Sequence, residues 1–209
     1  MVPLRQLKMT YGMQPVIVPE VEVELRSHKR LGIRCEPQLN KALHSGTIQI
    51  LDKSSFAGLV PISGVGTSFA EIQELGNTYA LHVGSGEAYS HAAAVQLGTP
   101  ILSHDNQAVR ILLNQNFQPA SPVLRAFDIL ALSYQIGSIT GIQADQFRKC
   151  LLAEREMLPA VFHNCGFEEG LPNFGCRIVD EEMLPIGFAQ RDHNGAQLQM
   201  RVRRITPTH

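Results

Sequence analysis

The chain has 209 residues, of which 44% are apolar and 18% charged, and its formal net charge is −1. This composition allows one sizeable core, and the near-neutral charge excludes a general nucleic-acid coat, so any nucleic-acid contact must be local. The sequence has no apolar run near the roughly 18 residues of a membrane span, and its four scattered cysteines predict reduced thiols. We therefore expect a cytoplasmic protein.

The first part of the chain is predicted to alternate short strands with helices. A β-branched run from Val16 to Val18 predicts a strand, and the charged stretch from Glu20 to Lys29 predicts a helix after it. Pro37 to His44 is predicted as a second helix, and the alternating stretch Thr47 to Leu51 as a second strand. Asp52 to Gly66 is rich in serine, glycine and proline, and is therefore predicted as a loop.

The centre of the chain has the most regular pattern. Four elements are predicted there in the order helix, helix, strand, helix: Ser68 to Leu75, Ser85 to Leu97, Thr99 to Ser103, and Asp105 to about Leu113. Two apolar helices are predicted after them, from Pro122 to Gly137 and from Ala144 to Leu158. This alternation predicts an α/β fold in which a largely parallel sheet is flanked by helices.

The chain changes character towards its C-terminus, where glycine, proline and asparagine become frequent. We expect one domain over residues 1–160 and an irregular C-terminal appendage with short strands over residues 161–209. The strand-like pieces of this appendage are Arg177 to Val179 and Leu198 to Ile205, and the second piece carries Arg201, Arg203 and Arg204.

Three acidic residues lie at or just beyond the predicted strand ends. Glu24 follows Pro19 by about one helical turn, Glu87 lies in the first turn of its helix, and Asp105 comes two residues after a strand. Ligands of open parallel sheets bind at that edge, and carboxylates gathered there repel one another unless a hard cation holds them. The pattern therefore indicates a Mg²⁺ or Mn²⁺ site. A purely structural role stays open, because helix N-termini also favour acidic residues.

Two stretches of the chain resemble a PIN domain. The more specific one runs from Gly86 to Asp105, where Glu87 opens a helix that ends at Gly98 and a short strand follows. The other contains a strand and Pro19 ahead of an acidic helix with Glu24. The resemblance covers roughly residues 4–158.

The resemblance implies a PIN-like parallel sheet flanked by helices and a divalent-metal-dependent endoribonuclease. Glu24, Glu87 and Asp105 would then be the catalytic and metal-binding acids, Mg²⁺ or Mn²⁺ the cofactor, and Ser103 the polar residue beside Asp105. The implied partners are RNA, possible neutralisation by an antitoxin protein as in toxin-like members of the family, and a homodimer.

One family feature has no counterpart in this sequence. PIN domains begin with a strand that ends in a metal-binding aspartate, whereas nothing before Val16 has that pattern. The vacant position in the sheet could reflect a start placed too late, a degenerate domain, a partner chain, or a C-terminal strand such as Arg177 to Asp180. The alternative function is therefore a catalytically inactive PIN-like module that binds nucleic acid or protein.

Other groupings are weaker candidates. Asp52 resembles the missing aspartate but is predicted to be an ordinary loop acid. His91 and His104 flank the acidic residues and are predicted to lie on a helix surface and in a loop. The glycines Gly64 and Gly66 lack the flanking strand and helix of a dinucleotide loop. Two larger sets are predicted to be structural or solvated, namely the possible zinc ligands His163, Cys165, Cys176 and His193, and the basic cluster Arg26, His28, Lys29, Arg30 and Arg34.

Overall fold

The computed structural model describes residues 5, 14–27, 31–57, 67–103, 105–119, 123–153, 158–176 and 203–204. This part of the chain is mostly helical and contains two small parallel sheets, so the predicted mixture of helices and parallel strands is confirmed at that level. None of its helices combines the length and the apolar character needed to cross a membrane.

The N-terminal elements are β1 (Val16–Ile17), α1 (Pro19–Ser27), α2 (Leu31–His44), β2 (Gln49–Ile50) and α3 (Lys53–Phe56). Strands β1 and β2 pair in parallel, with Val16 opposite Gln49 and Ile17 opposite Ile50. The predicted strands and the helix after β1 are confirmed.

Two details of this region differ from the prediction. Helix α2 begins at Leu31 and contains Pro37, which the sequence pattern had placed at a helix start. Helix α2 continues through the proline and packs against α1, where Arg26 pairs with Glu36 at 3.2 Å. The loop prediction from Asp52 is wrong for its first residues, because Asp52 is the N-cap of α3. Most of the remaining predicted loop, including Gly64 and Gly66, lies outside the described residues.

The central elements are α4 (Phe69–Tyr79), α5 (Ser85–Leu97), β3 (Ile101–Leu102), α6 (Asn106–Asn114) and β4 (Val123–Leu124). The bounds predicted for α5 are confirmed, and Gly98 ends that helix with a left-handed φ of 67°. Such a φ favours glycine because it lacks a Cβ atom. Strands β3 and β4 pair in parallel and form a second small sheet, which is not hydrogen-bonded to the β1–β2 pair in the described residues.

The prediction of one helix from Pro122 to Gly137 is wrong. Val123 and Leu124 form β4, and helix α7 (Ala126–Gln135) begins only afterwards. The carboxylate of Asp128 fixes this start, because it accepts a hydrogen bond from the backbone N–H of Arg125 at 2.7 Å. A continuous apolar run hides the boundary between a buried strand and a buried helix, and this explains the error.

The C-terminal elements are helix α8 (Gly141–Ala153), two 3₁₀ turns (Ala160–Phe162 and Leu171–Asn173) and the short helix α9 (Phe167–Gly170). Strands β5 (Gly175–Cys176) and β6 (Arg203–Arg204) pair antiparallel, which agrees with a strand in the predicted Leu198 to Ile205 stretch. The predicted strand from Arg177 to Val179 lies outside the described residues.

Helix α5 is the centre of the packing. Its residues Ala88, Ala92 and Leu97 belong to a core cluster that includes Val18 and Leu51, which follow β1 and β2. Its residues Ala94 and Val95 belong to a second cluster that includes Ile101 of β3 and Val123 of β4. One helix of small apolar residues therefore covers both strand pairs.

A third core cluster joins α7 to the C-terminal residues. Phe127 stacks on Phe162 with ring centroids 4.9 Å apart, and Phe167 and Phe174 are buried in the same cluster. The C-terminal residues up to Phe174 therefore share a hydrophobic core with α7.

Candidate functional site

The N-terminus of α5 is capped by a side chain from another helix. The N-cap residue is Gly84, which has no side chain that could accept a hydrogen bond. Instead, the carboxylate Oε1 of Glu24, on α1, accepts a hydrogen bond from the backbone N–H of Gly86 at 3.2 Å. A carboxylate at this end of a helix satisfies a free N–H group and is favoured by the helix dipole.

Glu87 brings a second carboxylate to the same turn. A Cβ atom at position 84 would lie 2.6 Å from Glu87 Oε2, and a Cβ atom at position 86 would lie 2.6 Å from Glu24 Oε2. Both carboxylates therefore rest against the Gly84 to Gly86 backbone. Glu87 is half-buried and Glu24 is exposed, so solvent reaches the pair.

Asp105 lies at the N-terminus of the next helix. It is the N-cap of α6, and its Oδ1 accepts a hydrogen bond from the backbone N–H of Gln107 at 2.6 Å. The hydroxyl of Ser103, the polar residue singled out beside it, accepts a hydrogen bond from the Asp105 N–H at 3.0 Å. The Asp105 residue is exposed just beyond the end of β3, as the sequence pattern predicted.

His91 is fully buried one helical turn after Glu87 on α5, which corrects its predicted place on a helix surface. Burial lowers the pKa of its imidazole to about 4, and the negative charge of Asp105 acts in the opposite direction. The imidazole is therefore neutral at pH 7. His91 on α5 and Asp105 at the start of α6 therefore interact electrostatically.

The three predicted acids thus occupy two helix N-termini. Glu24 and Glu87 share the first turn of α5, and Asp105 opens α6 on the side of His91. Within the described residues, no three His, Cys, Asp or Glu side chains stand close enough together to hold a metal ion. Glu24 and Glu87 each bring carboxylate oxygens to this turn, the ligand type that Mg²⁺ and Mn²⁺ prefer.

The structure gives Asp52 a local structural role. Its Oδ1 accepts a hydrogen bond from the Ser55 backbone N–H at 2.7 Å, and the Ser55 hydroxyl in turn accepts one from the Asp52 N–H at 2.9 Å. This reciprocal capping box is the reason that a short helix begins here. The bond from Ser55 and a second one from the Ser54 hydroxyl hold the pKa of Asp52 below its usual range.

The side chains proposed for zinc and for a basic surface have other partners where the structure describes them. The His163 Nε2 is hydrogen-bonded to the Leu158 carbonyl, and the Cys165 thiol donates to the Val161 carbonyl. Arg26 pairs with Glu22 at 2.9 Å and with Glu36. For several members of these two sets, either the whole residue or its side chain lies outside the described part of the chain: Cys176, His193, His28, Lys29, Arg30 and Arg34. The same is true of His104.

Sequence reasoning did not assign a role to Gly84 and Gly86. The available signal was a Gly-Ser-Gly run directly before Glu87, which leaves the start of α5 without large side chains. The contact of Glu24 with this run joins residues 62 positions apart and has no counterpart in a local pattern.

Comparison with known proteins identifies no relative: no family model, curated protein or solved structure matches this chain significantly.

Proposed function

We propose that this chain is a divalent-metal-dependent endoribonuclease of the PIN-domain type, with Glu24, Glu87 and Asp105 as its catalytic and metal-binding acids. The observation that supports the proposal most is the approach of Glu24 and Glu87, from two different helices, to one glycine-flanked turn at the start of α5. Like-charged carboxylates gain from proximity when a cation lies between them.

The chemistry of these residues suits Mg²⁺ or Mn²⁺. Mg²⁺ is commonly held by one or two carboxylates together with waters and substrate phosphates, so a pair of glutamates is sufficient to seat it. Glu24 and Glu87 would hold the cation, and Glu24 also accepts a hydrogen bond from the Gly86 N–H through Oε1. A bound ion of this kind supplies the positive charge that RNA cleavage needs and lowers the pKa of a water molecule.

Within this proposal, the chain's own residues orient the reaction. Glu24 lies against Gly86 and Glu87 lies against Gly84, and Asp105 places a further negative charge at the start of α6. The neutral His91 adds no positive charge that would compete with a cation. RNA is the proposed substrate, and an antitoxin-like protein and a second copy of the chain are the proposed partners.

Cleavage of RNA tests the proposal directly. The full chain is incubated with a fluorophore-labelled single-stranded RNA in Mg²⁺, in Mn²⁺ and in EDTA. We expect cleavage with either ion, none in EDTA, and a loss of about 100-fold or more in Glu87→Gln. Glu74→Gln, on the exposed face of α4, is the matched control and should cleave normally. Metal-independent cleavage, or full activity in Glu87→Gln, would contradict the proposal.

A catalytically inactive PIN-like binding module is the second candidate. It is favoured by the capping bonds that already engage Glu24 and Asp105, and by the lack of a three-residue ligand group in the described part of the chain. This module would bind RNA or a protein without cleaving RNA. A gel-shift assay with the same RNA separates the two functions, because the module would retard the RNA intact in Mg²⁺.

A further inference from the structure

We draw no further inference here: the strongest candidate, the groove between helices α8 and α9, carries none, because its acidic side chains Asp145, Glu168 and Glu169 all accept hydrogen bonds from within the chain and no other feature of its described residues points to a ligand.

Discussion

Glu24 on α1 caps helix α5 through Gly86, over a separation of 62 residues, with its Oε1 3.2 Å from the Gly86 nitrogen. Glu24→Ala removes this acceptor, whereas Glu24→Gln keeps an oxygen in its place. We expect the Gly86 amide to exchange with deuterium faster in Glu24→Ala, and the free energy of unfolding to fall by about 0.5–1 kcal/mol. Glu24→Gln should keep most of the protection. Equal Gly86 exchange in the native chain and in Glu24→Ala would show that the cap is not formed in solution.

His91 and Asp105 give a prediction about pH. The imidazole of His91 should titrate with a pKa of about 4 in NMR, because it is buried, and Asp105→Asn should lower this pKa further by removing a nearby negative charge. Asp52→Asn is the control and should leave the His91 pKa unchanged. Titration of His91 near its ordinary value of about 6.5 would contradict the burial described here.

The lowered pKa of His91 also predicts how the free energy of unfolding changes with pH. Since the folded-state pKa of His91 is lowered, the unfolded chain takes up a proton first as the pH falls from about 6.5 towards 4. The native protein therefore loses stability in that window. We expect His91→Leu to lose less stability than the native chain between pH 7 and pH 4, as measured by urea unfolding. Parallel losses would mean that other groups control acid sensitivity there.

Asp145 should act in the opposite direction. Hydrogen bonds from Arg148 and Lys149 lower the pKa of its carboxyl to about 2, and the backbone N–H of Phe167 adds a further bond. A carboxyl with a lowered pKa stabilises the fold above its unfolded-state pKa of about 4, and the effect is lost as the pH falls towards 2. Asp145→Asn should therefore be less stable than the native chain at pH 7, with a smaller difference at pH 3. A difference independent of pH would contradict this.

Gly76 allows α4 and α5 to pack closely. A Cβ atom at this position would overlap the ring of Tyr89 on α5. We expect Gly76→Ala to destabilise the protein by about 1–3 kcal/mol in urea unfolding, because the overlap outweighs the gain of about 1 kcal/mol in helix propensity. Gly166→Ala is the control, because a Cβ atom there would meet only Asp145 Oδ1 at 3.9 Å, and it should cost less than Gly76→Ala. A Gly76→Ala variant as stable as the native chain would show that the Tyr89 ring moves aside freely.

The sequence predicts local features well where a stop signal and a helix period agree. The bounds of α5 follow from its alanine-rich pattern and from Gly98, whose left-handed φ confirms the stop. The start of α6 follows in the same way from Asp105, which is its N-cap. The start of α7 could not be predicted, because Val123 and Leu124 belong to a continuous apolar run. Such a run fits a buried strand as well as a buried helix.

The sequence suggests the residues of the candidate site but not their geometry. The acids Glu24, Glu87 and Asp105 were selected because they lie at or just beyond predicted strand ends and because that part of the chain resembles a PIN domain. The contact of Glu24 with Gly86 depends on how α1 packs against α5, and no local pattern encodes that distance. The burial of His91 was missed because a single polar residue among alanines does not indicate which side of a helix faces the core.

Calorimetric titration of the full chain with Mn²⁺ tests the central claim most directly. The native protein should bind the ion, Glu87→Gln and Glu24→Gln should each bind it about 10-fold or more weakly, and Asp52→Asn should bind as the native chain does. Asp52 is the matched control because it is an exposed acid in a capping box of its own, at the start of α3. No Mn²⁺ binding by the native chain, or equal binding by all four proteins, would contradict a metal site at the start of α5.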